Sequence, residues 1–456
     1  MNFFKKLRSE NLIPFILFLI ILINYIPLFK GNFVSDISNS YAVTTKEMTI
    51  CFAIELVLLA TFLLGRIKVF KTNTIINFIF LLITTIILAI IQRQNYLSQN
   101  YEQLDVINIV CIFLNILMLF IAFTNLKIEE KYMTYFFAGM VFAGLVASAV
   151  NIYLYKEEIL TMITTAKQIS VKSFFAHRNQ FAVFLYVSII SNIMLILRAN
   201  KKRVKALLFI PLIIFGASII TTSSRTGIAA TALFIVLFFI TTSSIKFTHK
   251  FFIVYLLTFF AISGFVITGN KYPEKMLKVE NFVNNVLIRE NTISSFTGRD
   301  KFWKIAIDVL QKNKINMSFG IGRFLAVDLI EEYHVTQFHN FYIEALMTGG
   351  IMELVFFIYI HIFTLVKVFI SKIDKKYKLF YLSMFISLAI YGMFESMSRF
   401  SIGCADTLCL IFFVTIPLLH SNTYQKSEED KEQKLEESEI AISPRSRRGK
   451  HSNNIK

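Results

Sequence analysis

The sequence predicts an all-α protein that crosses a membrane about twelve times, and its composition and hydropathy pattern carry this prediction. Of the 456 residues, 55% are hydrophobic and only 17% are charged, whereas about 25% of the residues in soluble globular proteins are charged. The apolar residues also come in runs of roughly 17–22 with few charges, long enough to span a hydrocarbon core about 30 Å thick. A water-soluble protein is therefore excluded.

Twelve candidate spans follow one another along the chain. Their predicted ranges are 12–29, 48–65, 74–92, 106–125, 133–153, 180–197, 206–222, 226–244, 251–268, 341–366, 379–395 and 402–419. We predict one polytopic membrane domain over residues 1–420, with modest outward loops at 30–47 and 154–179.

Basic residues in the connecting loops predict the orientation of these spans, because cytoplasmic loops are enriched in lysine and arginine. With the N-terminus in the cytoplasm, every inward loop carries several basic residues. These loops lie at 66–71, 127–131, 198–205, 246–250 and 367–378. The outward loops at 93–105 and 396–401 carry one each, Arg93 and Arg399. Both termini are therefore predicted to be cytoplasmic, and the net charge of +17 reflects topology instead of nucleic-acid binding.

Two segments differ from the spans. Residues 269–340 form an outward loop of roughly 70 residues, and a loop of that length is more often a working element than a connector. Its apolar residues recur with helical spacing around Phe302, Ile305, Ala306, Val309 and Leu310. Residues 421–456 are acidic and basic in turn, which predicts a disordered cytoplasmic tail or a segment that docks on anionic lipid.

Arginine residues mark the outward ends of several spans. Arg225 lies in the Ser224-Arg225-Thr226-Gly227 turn, and Arg178 lies in Ala176-His177-Arg178-Asn179, just before the sixth span. The planar guanidinium group binds phosphate through two hydrogen bonds, so both arginines are candidate ligands of a lipid phosphate. The alternatives are an arginine that anchors the span at the interface and an ordinary polar span boundary.

The long loop contributes further candidates. Gly298-Arg299-Asp300 leads into a short predicted helix that contains Trp303, the only tryptophan, and Gly320-Ile321-Gly322-Arg323 ends that helical stretch. His339-Asn340 stands where the loop returns to the membrane, ahead of Gly349-Gly350 in the tenth span. Because histidine is the side chain best suited to proton transfer near neutral pH, His339 is a candidate base.

Acidic residues at membrane depth are costly and are usually functional or paired. Glu344 and Glu353 are nine residues apart in the tenth span, which places them on different sides of a helix. Glu395 ends the eleventh span and is predicted to pair with Arg399 at i,i+4 spacing. The sequence holds no Walker loop, no HExxH and no Asp-x-Asp pair, so outward chemistry is expected to use cationic side chains without a metal ion or other cofactor.

The order of these motifs resembles the O-antigen ligase and polymerase superfamily, which includes Wzy-type repeat-unit polymerases. The match rests on Ser-Ser-Arg-Thr-Gly at 223–227, Gly-Arg with a following Trp at 298–303, Gly-Ile-Gly at 320–322, and His-Asn at 339–340 with Gly350 in the following span. It covers about residues 170–366. The chain departs from the family pattern at Glu353, where a glycine, threonine or tyrosine is usual, and this puts close helix packing there in doubt.

The resemblance implies a GT-C-like glycosyltransferase in the bacterial cytoplasmic (inner) membrane. Its donor would be an oligosaccharide on undecaprenyl pyrophosphate, and its acceptor a hydroxyl group on another glycan or a lipid. The implied assignments place Arg225 and Arg299 on the pyrophosphate, Arg178 and Arg323 as secondary cation sites, and His339 as base or phosphate contact. Asn340, Gly350 and Trp303 are supporting residues. A flippase and a chain-length regulator are implied partners.

Several functions stay open at this point. A repeat-unit polymerase that builds O-antigen, capsule or exopolysaccharide is favoured over an O-antigen ligase that transfers the glycan to a lipid or protein. A twelve-span transporter or flippase is a weaker alternative, because such carriers show similar halves and a long central cytoplasmic loop, and this chain shows neither. A purely structural or sensing membrane protein is weaker still.

Overall fold

The computed structural model describes residues 9–31, 53–60, 128–165, 171–175, 177–242, 299–322, 338–395 and 408–422, with single positions at 50, 259, 263, 325, 326 and 329. Every regular element in this part of the chain is helical, which confirms the all-α class.

A 3₁₀ turn at Ser9–Leu12 leads into the first helix, and residues 53–60 form a short helical segment that is not numbered. Eleven other helices are numbered α1 to α11. In chain order they are α1 (Ile13–Gly31), α2 (Glu130–Leu154), α3 (Lys156–Thr165), α4 (Arg178–Arg198), α5 (Lys202–Thr221), α6 (Arg225–Thr242), α7 (Arg299–Lys312), α8 (Lys314–Phe319), α9 (Phe341–Ile370), α10 (Lys375–Gly392) and α11 (Leu408–Asn422).

Four of these helices, α2, α4, α5 and α9, are long and apolar enough to cross a membrane, and α6, α11 and residues 13–22 of α1 are shorter apolar helices. The chain is therefore a membrane protein. Eight of the predicted spans overlap in sequence with one of these helices, and residues 53–60 are helical within a ninth predicted span. The predicted spans at 74–92 and 106–125, and all of 251–268 except two positions, lie outside the described residues, as does the tail from 423 onwards. The count of twelve spans stays a prediction.

Helix α4 is the centre of the described bundle. Its residues are buried without interruption from Phe181 to Met194, and it packs against α2, α5 and α6, while α10 packs against α6 and α9. By contrast, α5 exposes large apolar side chains such as Leu207, Phe209 and Ile213. A helix apolar on its exposed face suits contact with lipid, so α4 forms the core and α5 its periphery.

The two outward segments contain more helix than a plain loop. The segment 154–179 was predicted as a loop but carries α3, an exposed helix that buries Met162. In the long loop, α7 buries Phe302, Ala306 and Leu310 on one face, as the sequence pattern predicts. These three residues pack with Ile321, Phe338 and Met347 in a cluster of their own, which fixes α7 against the start of α9.

Glycine residues join α8 to α9 by direct backbone contact. Gly350 adopts φ 68° and breaks the helical path of α9, and a Cβ atom on it would lie 2.4 Å from the Ser318 backbone. On the other side, Gly320 has φ 73°, and the amide of Ile321 donates to the Met347 carbonyl at 2.8 Å. The Gly-Ile-Gly and Gly-Gly motifs therefore form one packed joint.

Glu353, the residue that departs from the family pattern, does not disturb the packing at this joint. It is buried, and its Oε2 accepts a hydrogen bond from Thr348 Oγ1 at 2.8 Å. The carboxylate lies 2.2 Å from where a Cβ atom of Gly349 would be, so it occupies the space that this glycine leaves open.

Replacing Gly320 by alanine is expected to destabilise the protein by roughly 1–3 kcal/mol, because a side chain at positive φ is strained and its Cβ would meet the Thr348 backbone at 2.5 Å. The matched control is Gly216→Ala in α5, where an added Cβ meets nothing within 4 Å and alanine favours the helix. Thermal unfolding of both variants in detergent measures the difference. Equal unfolding temperatures would rule out the proposed role of the joint.

Candidate active site

Glu395 stands at the centre of a cluster of polar residues, three positions beyond the end of α10. Its side chain is only 5% exposed. Donors from three other parts of the fold converge on Oε1. Asn179 Nδ2 lies 2.8 Å away, Thr226 Oγ1 3.1 Å and Arg299 Nη2 3.4 Å. The other guanidinium nitrogen of Arg299 donates to the carbonyl of Phe394. Glu395 thus ties together the N-terminal ends of α4, α6 and α7.

The Ser-Ser-Arg-Thr-Gly turn delivers Arg225 and Thr226 to this cluster. Ser223 adopts a left-handed backbone with φ 51°, and Ser224 Oγ accepts from the Gly227 amide at 3.4 Å, which caps α6. A Cβ atom on Gly227 would lie 2.8 Å from the Ala182 Cβ, so the glycine allows α6 to approach α4. Each residue of the motif therefore has a role in bringing Arg225 to the N-terminal end of α6.

The Ala-His-Arg-Asn motif contributes the start of α4. Nδ1 of His177 accepts from the Asn179 amide at 3.2 Å and caps this helix. His177 is exposed as a whole residue, yet the protein atoms crowded around its imidazole desolvate the ring and lower its pKa to about 4, against an opposing effect of the Glu395 charge. His177 is therefore neutral near pH 7, and because Nδ1 accepts a hydrogen bond, Nε2 carries its proton.

Three guanidinium groups act on one another in this region. Arg178 is stabilised by the negative charge of Glu395 and destabilised by the positive charges of Arg225 and Arg299. Arg225 and Arg299 also repel each other. Among the described residues, the carboxylate of Glu395 lies against these three guanidinium groups, so the cluster is rich in positive charge. Such an arrangement is stabilised by a bound anion.

His339 lies on the other side of the same carboxylate. Its Nδ1 is 3.5 Å from Glu395 Oε2, and its side chain is 19% exposed. Catalytic hydrogen bonds are often long in an unliganded enzyme and shorten when substrate binds. The backbone of His339 is left-handed with φ 51°. Strained residues of this kind cluster at functional sites, so His339 has the geometry of a base oriented by a carboxylate.

The structure brings together the predicted residues Arg178, Arg225, Arg299 and His339. The three predicted supporting residues have separate roles: Trp303 Nε1 donates to the Phe338 carbonyl at 2.9 Å, Asn340 caps α9, and Gly350 belongs to the α8–α9 joint. Arg323, the other secondary cation site, lies outside the described residues.

The sequence predicts a pair between Glu395 and Arg399 and does not reveal that Glu395 is the centre of this cluster. Arg399 lies outside the described residues, and the partners that the structure gives to Glu395 come from distant segments. The available signal was an acidic residue at the outward end of a span, in a chain with several outward arginines. His177 was placed only in its motif, and Thr226 was given no role.

Comparison with protein families supports the predicted resemblance. Residues 210–358 match the family model described as O-antigen ligase. The resemblance to the O-antigen ligase superfamily is thereby confirmed. No curated protein and no solved structure matches the chain.

The O-antigen ligase match includes Arg225, Arg299 and His339 but ends before Glu395 and begins after Arg178. The complete cluster is therefore assembled from the matched region and from segments on both sides of it. Within the described part of the chain, no three His, Cys, Asp or Glu side chains lie close enough to hold a metal ion. Metal independence stays a prediction.

Proposed function

We propose that this protein is a membrane glycosyltransferase that uses an oligosaccharide linked to undecaprenyl pyrophosphate. The O-antigen ligase match supports a glycan-transferring enzyme with a lipid-linked substrate. The observation that carries the specific proposal is the group of Arg178, Arg225 and Arg299 around one carboxylate, with His339 beside it. A pyrophosphate suits three neighbouring guanidinium groups, since guanidinium donors match phosphate oxygens in both charge and geometry.

The reaction uses these side chains in two roles. The acceptor hydroxyl attacks the anomeric carbon of the donor, the bond from that carbon to the pyrophosphate oxygen breaks, and undecaprenyl pyrophosphate leaves. Negative charge that develops on the leaving group is stabilised by the arginines, because fixed charges in a site shielded from water are worth more than in solution. One ring nitrogen of His339 takes the proton of the attacking hydroxyl, while the carboxylate of Glu395 orients the imidazole through its other ring nitrogen.

The proposed location follows the topology predicted from the loops. The cluster lies at the outer face of the cytoplasmic membrane, where a polytopic domain over residues 1–420 holds the lipid anchor of the donor in the bilayer and its pyrophosphate at the interface. The loop 269–340 supplies Arg299 and His339 to this face, and the tail from 421 onwards lies in the cytoplasm. A flippase and a chain-length regulator are candidate partners.

The product is proposed to be a longer chain of repeat units on the lipid carrier, as made by a repeat-unit polymerase of O-antigen, capsule or exopolysaccharide. The second candidate is transfer of the finished glycan to a lipid or protein, the reaction after which the matched family is described. Both reactions break the same bond to pyrophosphate, so the cluster serves either.

Gel analysis of the glycan in a strain that lacks the gene separates these candidates. Loss of a polymerase is expected to leave single repeat units on the final acceptor, whereas loss of a ligase leaves long chains on the lipid carrier. A plasmid that carries the wild-type gene must restore the missing species. An unchanged glycan profile after deletion would contradict both reactions.

A further inference from the structure

The backbone just before His339 is held at both of its polar groups. The amide of Phe338 donates to Glu344 Oε1 at 2.8 Å, and the carbonyl of Phe338 accepts from Trp303 Nε1 at 2.9 Å. The Phe338 side chain is 2% exposed and packs in the cluster formed with α7. Phe338 therefore has little freedom to rotate about its backbone.

The backbone just after His339 is also fixed. Asn340 Oδ1 accepts from the amides of Tyr342 and Ile343 at 3.0 and 3.1 Å, and the Glu344 amide donates to the Asn340 carbonyl at 2.9 Å. His339 is thus a single left-handed residue between two fixed neighbours. A non-glycine residue in this conformation persists only when its surroundings enforce it.

The same face of α7 supplies one of these restraints and one of the site cations. Arg299 and Trp303 are four residues apart, which places them on one face of the helix. Arg299 contacts Glu395 and the Phe394 carbonyl, while Trp303 contacts the Phe338 carbonyl. The position of α7 therefore determines how far the His339 ring lies from the arginines.

We propose that Trp303 and Glu344 are positioning residues that hold the Phe338 peptide and so aim the imidazole of His339 at the reacting hydroxyl. The inference rests on the proposed function, because it assigns His339 as the base. Neither residue contacts the reacting atoms. They act by setting the orientation of the His339 imidazole. Misplacement of a catalytic group by about 1 Å lowers a reaction rate by roughly a hundredfold.

The experiment removes the two hydrogen bonds of the Phe338 peptide one at a time. Trp303→Phe removes the donor to the Phe338 carbonyl and keeps an aromatic ring. Glu344→Leu removes the acceptor of the Phe338 amide, whereas Glu344→Gln keeps an acceptor oxygen. Tyr342→Phe is the matched control, since it removes a hydrogen bond from the same helical turn to the Ala389 carbonyl without touching Phe338. Each variant is assayed in membranes with undecaprenyl-pyrophosphate-linked oligosaccharide extracted from the deletion strain.

Trp303→Phe and Glu344→Leu are each expected to lower kcat by roughly ten- to a hundredfold, since the base is no longer aligned. The KM for the lipid-linked donor should stay unchanged, because the arginines still bind it. Glu344→Gln is expected to restore kcat, and Tyr342→Phe to leave it within about twofold, because the Tyr342 hydroxyl bonds to the Ala389 carbonyl and does not hold the Phe338 peptide.

Two results would overturn the proposal: a wild-type kcat in both Trp303→Phe and Glu344→Leu, or a raised KM with an unchanged kcat. If Trp303→Phe fails to insert, the Glu344→Leu and Glu344→Gln pair decides alone. His339→Ala is assayed in parallel to separate this inference from the proposed function. Full activity of His339→Ala removes His339 as the base, whereas an inactive His339→Ala beside fully active positioning variants rejects only the role of Trp303 and Glu344.

Discussion

Replacing His339 by alanine is expected to lower glycan transfer by roughly 10²–10⁴-fold, the usual contribution of a general acid–base group. The protein should still insert in the membrane, because the α8–α9 joint and the capping of α9 by Asn340 do not involve the imidazole. The measurement is the length distribution of surface glycan in a deletion strain that carries the variant, with membrane levels checked by immunoblot.

The control for backbone effects at this position is His339→Asn. Asparagine tolerates the left-handed conformation that His339 adopts, so this variant keeps the local fold and removes only the base. We expect it to be as inactive as His339→Ala. Wild-type glycan chains in either variant would mean that His339 does not take the proton.

Replacing Glu395 by leucine is expected to impair both the stability of the protein and glycan transfer. Removal of one partner from a buried ion pair costs about 3–5 kcal/mol, and here the remaining group would contain Arg178, Arg225 and Arg299 without the carboxylate that offsets their repulsion. We expect a lower unfolding temperature in detergent and no measurable transfer. Glu395→Gln keeps an acceptor for Asn179 and Thr226 but loses the negative charge. Its transfer activity should therefore lie between that of Glu395→Leu and that of the wild type.

Glu353→Gln is the matched control for this experiment. Glu353 is likewise a buried acid on the membrane domain, but its carboxylate binds Thr348 at the α8–α9 joint, and glutamine keeps an acceptor for that hydroxyl. Its transfer activity should equal that of the wild type. If Glu395→Gln and Glu353→Gln transfer glycan equally well, the charge of Glu395 has no role in the site.

Much of the fold could be predicted from the sequence because membrane helices have a strong local signature. The predicted spans at 133–153 and 180–197 agree with α2 and α4 to within a few residues, since a long apolar run fixes both the type and the length of the element. The helix in the segment 154–179 was not predicted, because α3 is short, mostly exposed and polar in its first turn. Its pattern does not stand out from that of a loop.

The candidate site could be predicted only in part, for a different reason. Arg225 and His339 stand in motifs with a specific order, so they could be chosen from the chain alone. The partners of Glu395 could not, because Asn179 is 216 residues away and Thr226 is 169 residues away. Hydrogen bonds over such separations leave no local pattern. The i,i+4 rule instead pointed to Arg399, the nearest opposite charge.

The order of these residues along the chain has a consequence for the biogenesis of the enzyme. Glu395 is made after Asn179, Thr226, Arg299 and His339, and all four of them meet on its carboxylate. During translation the arginines are therefore synthesised before the acid that offsets their charge. A chain that stops short of residue 395 contains every residue proposed to touch the substrate but lacks the carboxylate on which their neighbours converge, so the cluster can form only after the eleventh predicted span has been made.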